Sequence, residues 1–399
     1  MSGGAPLIAH VVYRFAVGGL ENGVVNLVNR LPADAWRHVI ISLTDIDDGF
    51  ARRVTRSDVE MIALHKRPGH AFPLYPRLYR QFKALDPAIV HTRNLAALEA
   101  TVPAWAAGVP VRVHGEHGRD AADPEGTNAR RQWIRRAFRP FVTRYVALSP
   151  DLERYLARRV GVPGDRIEQI FNGVDTSRFR PSASRVPIAG CPFTDPRLWL
   201  IGTVGRLDTV KDQGNLAAAF VHAITLHPAA RERMRLVIVG EGELRSDIEA
   251  ILEAANVRDL AWLAGERGDV HSVLQGLDAF ALPSLAEGVS NTILEAMSTG
   301  VPIVATRVGA NAELLGDGSS GTIVPPADSE ALAAALLRYF EHAELARAHG
   351  RAARKRVESV FSLERMLDRY HRLYSDLVDD RRTALATPTG GPASRPLRH

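Results

Sequence analysis

Two glutamates, Glu287 and Glu295, stand eight residues apart in Leu282-Pro-Ser-Leu-Ala-Glu-Gly-Val-Ser-Asn-Thr-Ile-Leu-Glu-Ala-Met-Ser-Thr-Gly300. The apolar run Ala279–Leu282 before them reads as a buried strand. Pro283 and Ser284 end it, Gly288 marks a tight turn, and Ser290 is placed to cap the helix that Ile293, Leu294, Ala296 and Met297 continue. The first carboxylate then sits in a loop above a sheet and the second about one turn into a helix. Between them, at Gly288, Val289, Ser290 and Asn291, the unpaired N–H groups of the helix start point the same way. Such groups suit a phosphate, and paired carboxylates suit vicinal sugar hydroxyls, so one segment offers contacts to both halves of a nucleotide sugar. Each glutamate also has a plain alternative: solvated in the loop, or complementing the dipole of the helix.

Further groups of that kind follow other strand ends. Gly202-Thr-Val-Gly-Arg206-Leu-Asp-Thr-Val-Lys211 carries two cations that could reach one pyrophosphate, Arg206 as a fork and Lys211 as a point charge. Two cations offset the charge a departing diphosphate gains. Gly18-Gly19, before the helix Leu20–Arg30, lets backbone approach an anion, although the full dinucleotide-binding glycine fingerprint is absent. Glu21, in that helix's first turn, reads as structural. His91-Thr-Arg93-Asn94 could line an acceptor side. In His114-Gly-Glu-His117-Gly-Arg119, two histidines and a glutamate invite a zinc reading, but the spacing is not that of the helical zinc-protease motif and no third ligand is evident. His114 is taken to end its strand. Asn172-Gly173-Val174-Asp175 reads as a turn through positive φ. With no Asp-x-Asp pair at a strand end, the diphosphate is expected to be neutralised without metal. No serine has the context of a nucleophile elbow.

The elements that must position these residues alternate strand and amphipathic helix, which argues parallel α/β architecture. Strands are expected at Leu7–Tyr13, His38–Leu43, Glu60–Leu64, Ala88–His91, Val109–His114, Tyr145–Leu148 and Arg166–Ile170. Helices such as Leu95–Ala106 lie between. After a Pro, Ser and Gly-rich stretch the pattern restarts at Leu198–Val204, Leu236–Val239, Ala261–Ala264, Ala279–Leu282, Pro302–Ala305 and Gly321–Val324. In 399 residues this predicts two doubly wound domains, 1–180 and 198–360, joined by a linker at 181–197. A helix within 361–380 follows, then a disordered tail at 381–399. Ligands of such sheets sit beyond the carboxyl ends of the strands, so Glu287 and Arg206 should share an edge.

Composition limits the alternatives. A hydrophobic content of 46% and a charged content of 24% are those of a soluble globular chain. The single cysteine, Cys191, excludes an internal disulfide and fits a reducing compartment. With no secretory signal and no apolar run of membrane-spanning length, the expected location is the cytoplasm, or its inner membrane face. The net charge of +5 is concentrated in Arg130–Arg144, where Trp133, Phe138 and Phe141 are interleaved. That segment is either a solvated helix face or an interfacial one meeting anionic lipid or a lipid pyrophosphate. No nucleic-acid motif accompanies it, so nucleic acid is not an expected partner.

The string from Ala279 through Glu295-Ala-Met, Gly300-Val-Pro-Ile-Val-Ala-Thr and Val308-Gly-Ala-Asn-Ala-Glu313 resembles the donor-site signature of family 4 retaining glycosyltransferases. Ser290 stands where Pro is common, Ala310 where a second Gly is common, and Asp212 where Gly often follows the Lys; the last is read as harmless. The resemblance implies the GT-B arrangement of two Rossmann-like domains facing a cleft, with acceptor on the first and nucleotide sugar on the second. It implies that Glu287 holds hydroxyls of the donated sugar, Glu295 the ribose, and Arg206 and Lys211 the diphosphate. It places Gly18-Gly19 opposite the donor and His117 beside the transferred sugar. It assigns base choice to Gly265-Glu266-Arg267 and brings the last helix back onto the first domain. No cofactor is implied beyond the nucleoside-diphosphate sugar substrate. The motif order is also similar to exopolysaccharide transferases associated with PEP-CTERM/exosortase systems, which implies a saccharide or lipid-linked saccharide acceptor. Rival readings are a nucleotide-sugar epimerase-like enzyme and a non-catalytic nucleotide-sugar-binding protein. Sugar, base, linkage and oligomeric state are not legible.

Overall fold

The computed structural model describes residues 4–118, 123 and 126–386. Two separate all-parallel sheets organise it. The first contains β1 (Leu7–Val12), β2 (Arg37–Ser42), β3 (Glu60–Ala63), β4 (Ile89–Arg93), β5 (Val111–Glu116), β6 (Arg144–Ala147) and β7 (Ile167–Gln169). Their order is β3-β2-β1-β4-β5-β6-β7. The second contains β8 (Trp199–Val204), β9 (Met234–Val239), β10 (Ala261–Gly265), β11 (Ala279–Leu282), β12 (Ile303–Thr306) and β13 (Thr322–Val324), ordered β10-β9-β8-β11-β12-β13. Helices cover both faces, so the central strands are buried throughout and mostly apolar: every residue of β1 and of β11 is buried, the polar His10 included.

Each order reverses once, between β1 and β4 in the first sheet and between β8 and β11 in the second. The crevice at such a reversal is where open α/β sheets bind ligands. The 205–212 loop leaves β8 and the 283–290 loop leaves β11, so both reach one crevice. Across from them, the loops after β1 and β4 reach the other.

The helix Leu363–Ala386 packs on the first sheet. Leu363, Met366, Tyr370, Leu373, Tyr374 and Leu377, at helical spacing, share an apolar cluster with Ile8, Ile89, Val113 and Tyr145. Trp36 Nε1 donates to His371 Nδ1 at 2.9 Å. The chain enters this helix through a bridge between Val174 and Ser362. Among the described residues no helix is long and apolar enough to cross a membrane.

Several expectations need correction. The helix expected at Leu95–Ala106 is two short helices, Asn94–Leu98 and Thr101–Ala106, the first opened by Asn94 at φ 55°. His114 does not end its strand, which runs on to Glu116. Asn172 and Gly173 make no positive-φ turn; a side chain at Gly173 would meet the Leu363 backbone 2.6 Å away. The turn comes later, where Asp175 Oδ1 accepts from Ser177 N at 3.1 Å and Arg178 N at 3.0 Å. The stretch 181–197 has no helix or strand but is not loose, because Ile188 and Cys191 are buried in the second core. Residues 381–386 continue the last helix rather than starting a disordered tail; 387–399 lie outside the described residues.

Candidate active site

The 283–290 loop is held at its base. Ser284 Oγ donates to Glu287 Oε1 at 2.7 Å, and Lys211 Nζ approaches the same oxygen at 2.6 Å. Lys211 is placed by Asp208, whose Oδ1 accepts from its backbone N–H at 3.0 Å. Leu285 N donates to Val210 O at 2.8 Å, which ties the two loops together. Glu287 is thus an oriented carboxylate, with a side chain only 8% exposed. Arg206 is its opposite: its side chain is 83% exposed, with Asp208 at 3.2 Å as its one ion-pair partner among the described residues, and can turn toward an anion. Asp212 opens the next helix, Gln213–Leu226, at φ 49°. That left-handed conformation explains why Gly suits the position. Asp tolerates it better than most residues, at roughly 1 kcal/mol, so the exchange is carried with some strain.

Ser290 caps the helix Asn291–Thr299, accepting from Ile293 N at 3.4 Å. Glu295 lies one turn in. Burial pushes its carboxyl up to about 7, and Arg178 pulls the other way. An approaching hydroxyl therefore meets a group poised between acid and carboxylate near neutral pH. Asn291 Oδ1 accepts from Asn172 Nδ2 at 3.0 Å, and a side chain at Gly19 would meet Asn291 Nδ2 at 2.8 Å. A side chain at Gly288 would meet His117 O at 2.9 Å, which is why glycine stands there. The glycine loop after β1 and the loop after β5 thus close on the start of this helix.

The first-domain groups are less accessible. His117 is half-buried, with both ring nitrogens covered and neither paired among the described residues; its backbone N–H donates to Asn94 Oδ1 at 2.7 Å. Burial, then Arg93 and His114, hold its imidazole well below the ordinary pKa, so it is neutral. His91 is fully buried, its Nδ1 2.7 Å from Tyr374 Oη. Arg93 is 2% exposed, with Nη2 3.2 Å from His10 Nδ1, and burial lowers its pKa. His91 and Arg93 therefore lie inside the domain instead of lining an open acceptor surface.

The zinc alternative finds no support in the side-chain arrangement. His114 is buried against Thr92 Oγ1 at 2.8 Å, and Glu116 grips Arg135 at 2.6 and 3.2 Å. Burial pushes the Glu116 carboxyl up, but Arg135 and His114 outweigh it and hold it at about 2. Among the described residues no three His, Cys, Asp or Glu converge as ligands. Arg119 lies outside the described residues.

At the 265–267 loop, Arg267 is engaged by Asp269 at 2.7 and 2.9 Å and lies over Trp262, whereas Glu266 is exposed. In the 130–144 segment, Arg135 is consumed by Glu116 and Arg136 donates to Arg159 O at 2.6 and 3.0 Å. Trp133 stays 66% exposed and Trp105, edge-on to Phe141, 55%. One contributor escapes sequence reasoning: Ser284 reads there only as a strand terminator. Asn172, read as a turn residue or a support for the site, is seen to hold Asn291.

The chain is similar to known proteins in sequence and in fold. Residues 17–178 match the family model described as Glycosyltransferase Family 4, and residues 199–342 that described as Glycosyl transferases group 1. Together they span most of the chain. The chain is 28% identical over 308 residues to the UDP-Gal:alpha-D-GlcNAc-diphosphoundecaprenol alpha-1,3-galactosyltransferase of Escherichia coli, covering 75% of this chain and 78% of that one. It is 31% identical over 216 residues to the lipopolysaccharide core biosynthesis mannosyltransferase LpcC of Rhizobium leguminosarum bv. viciae, covering 54% and 61%. The fold matches that of Anabaena HepE in complex with UDP and glucose, with TM-score 0.77 at 17% identity, over 92% of this chain and 99% of that one.

Proposed function

This chain belongs to the family 4 glycosyltransferases of GT-B fold, and from that premise we propose that it moves a sugar, with retention and without a metal, from a nucleoside-diphosphate sugar to a saccharide or lipid-linked saccharide. The observation that carries the reading is the Lys211–Glu287–Ser284 triplet at the reversal of the second sheet, on the loop that leads into the helix carrying Glu295. In this reading Glu287 accepts from hydroxyls of the donated sugar and Glu295 from the ribose. Arg206, Lys211 and the N–H groups around Ser290 take the diphosphate. His117, neutral and with its ring nitrogens unpaired among the described residues, takes a sugar hydroxyl. Uridine diphosphate is the first nucleotide to try, because the Escherichia coli relative is named for UDP-Gal and the HepE structure holds UDP.

The bond between the anomeric carbon and the diphosphate oxygen breaks with its electron pair going to the diphosphate. The acceptor oxygen bonds to the same face of that carbon, and its proton passes to the departing diphosphate. Cations held against that diphosphate stabilise its developing charge, and closure of the cleft excludes water. We further take 1–180 as the acceptor domain, 198–360 as the donor domain and 361–380 as the return helix. We also propose that the protein acts in the cytoplasm, in cell-surface or exopolysaccharide glycan synthesis, and meets the inner membrane face peripherally through Arg130–Arg144, where Trp133 is exposed. Transfer assays with the product's anomeric configuration read by NMR test the stereochemistry. Retention with undiminished rate in EDTA is expected; inversion, or loss of activity restored by a divalent ion, would overturn the respective claim.

A further inference from the structure

The burial of His91 and Arg93 leaves open where the acceptor makes its contacts, and a cavity of about 440 Å³ beside Glu287 answers it. Its volume lies in the range of small-molecule sites, ~300–1,000 Å³. One wall is Ser149 and Asp151, at the start of the helix Pro150–Tyr155 in the first domain. The other is Glu287, Gly288, Arg307 and Gly309 of the second. Lys211 and Arg206 do not line it, so it lies on a different side of Glu287 from the cations assigned to the diphosphate.

The second wall is built for close approach. Ala310 N donates to Gly288 O at 3.0 Å, and Gly309 lies at φ 51°. A side chain at Gly309 would sit 2.1 Å from Glu287 O, so nothing larger than glycine lets this loop close over the Glu287 backbone. Arg154 links the walls, 3.7 Å from Asp151 Oδ1 and 3.7 Å from Glu313 Oε1. Arg307 is 62% exposed, with Asp317 only a loose partner at 3.9 Å. The cavity thus offers the Asp151 carboxylate on one wall and, on the other, the exposed Arg307 cation together with Glu287.

We propose that this cavity is the acceptor subsite, and that it takes a saccharide bearing an oxyanion: Asp151 accepts from the acceptor's hydroxyls and Arg307 holds the anionic group. This rests on the transferase reading above. The oxyanion could be the diphosphate of a lipid carrier or the carboxylate of a uronic acid, and the acceptors in the test separate them. Transfer is measured from a UDP-sugar to three alkyl acceptors: a short-chain alkyl-diphosphate N-acetylglucosamine, an alkyl glucuronide, and a neutral alkyl N-acetylglucosaminide. Donor hydrolysis without acceptor and UDP binding are followed alongside.

Arg307→Ala is expected to raise KM about tenfold for whichever anionic acceptor wild type prefers, with kcat, donor hydrolysis and UDP binding retained. The neutral glycoside should be unaffected. Asp151→Asn should raise KM for the anionic and the neutral acceptor alike. A preference for the diphosphate over the glucuronide assigns the oxyanion to a lipid carrier; the reverse assigns it to an acidic sugar. Wild type that prefers the neutral glycoside, or an Arg307→Ala effect equal on charged and neutral acceptors, overturns the subsite while leaving the transferase reading intact. Wild type that binds no nucleoside diphosphate overturns both.

Discussion

The two sides of the cleft are built on opposite principles. On the second domain, charged groups are held at the crevice by one another: Lys211 and Ser284 share the Oε1 of a largely covered Glu287, and Arg206 alone of them is exposed. On the first, polar groups are withdrawn: Arg93 lies sealed among His10 and His91, and His117 is half-buried and neutral. The donor side is thus prepared for an anion that it neutralises. The first-domain side presents backbone and neutral imidazole, and its buried Arg93 supports the wall. Buried charges of that sort are strongly destabilising to disturb, whereas surface ones act mainly through what they bind.

Substitutions should separate the two sides. Glu287→Ala is expected to reduce transfer by 100-fold or more, on the order of 3 kcal/mol of transition-state stabilisation, with little change in Tm; a loss below tenfold would remove it from the reaction. Arg93→Met should do the reverse. It strands His10 Nδ1, lowering Tm by several degrees while UDP affinity stays within about twofold in a titration. Tyr374→Phe removes the hydroxyl that meets His91 Nδ1 and should destabilise by about 1–3 kcal/mol, read by urea unfolding, again without change in nucleotide affinity.

A smaller effect concerns pH. Glu295 binds its proton more tightly folded than unfolded, because its folded pKa is about 7 against an ordinary 4.5. Its presence therefore lowers stability progressively as pH rises from about 4.5 through 7. Glu295→Gln should be more stable than wild type at pH 8, by a few degrees in Tm, with the difference vanishing below pH 4.5. Nucleotide affinity of the wild type should rise over pH 6–8 as the carboxylate forms, and that rise should be absent from Glu295→Gln. A flat profile in wild type would contradict the ribose contact.

What could be read from the sequence divides along the same line. Glu287, Glu295 and their capping serine lie on one contiguous strand-loop-helix string, so periodicity and turn chemistry place them with no knowledge of the rest of the chain. Arg206 and Lys211 follow for the same reason. The first-domain wall is assembled from the ends of β1, β4 and β5 and roofed by a helix nearly 300 residues away from His91 in the chain, as the His91–Tyr374 pair shows. Depth of burial there depends on long-range packing, so His91 and Arg93 looked like surface groups. Asn172-Gly173 misled similarly. Local chemistry favours a turn, but the glycine is needed because the 362–366 backbone passes against it. The cavity wall at 307–310 was visible as a motif but not as a wall, since only the fold brings Ser149 and Asp151 opposite.

The most direct test of the central claim, that the donor site is the second-domain crevice, is calorimetric titration of UDP, GDP and ADP into wild type, Glu295→Ala, Lys211→Ala and Arg93→Met. The account predicts that one nucleotide binds wild type and Arg93→Met alike, and that Glu295→Ala and Lys211→Ala weaken it at least tenfold. Binding that survives both second-domain substitutions and is lost with Arg93→Met would contradict it.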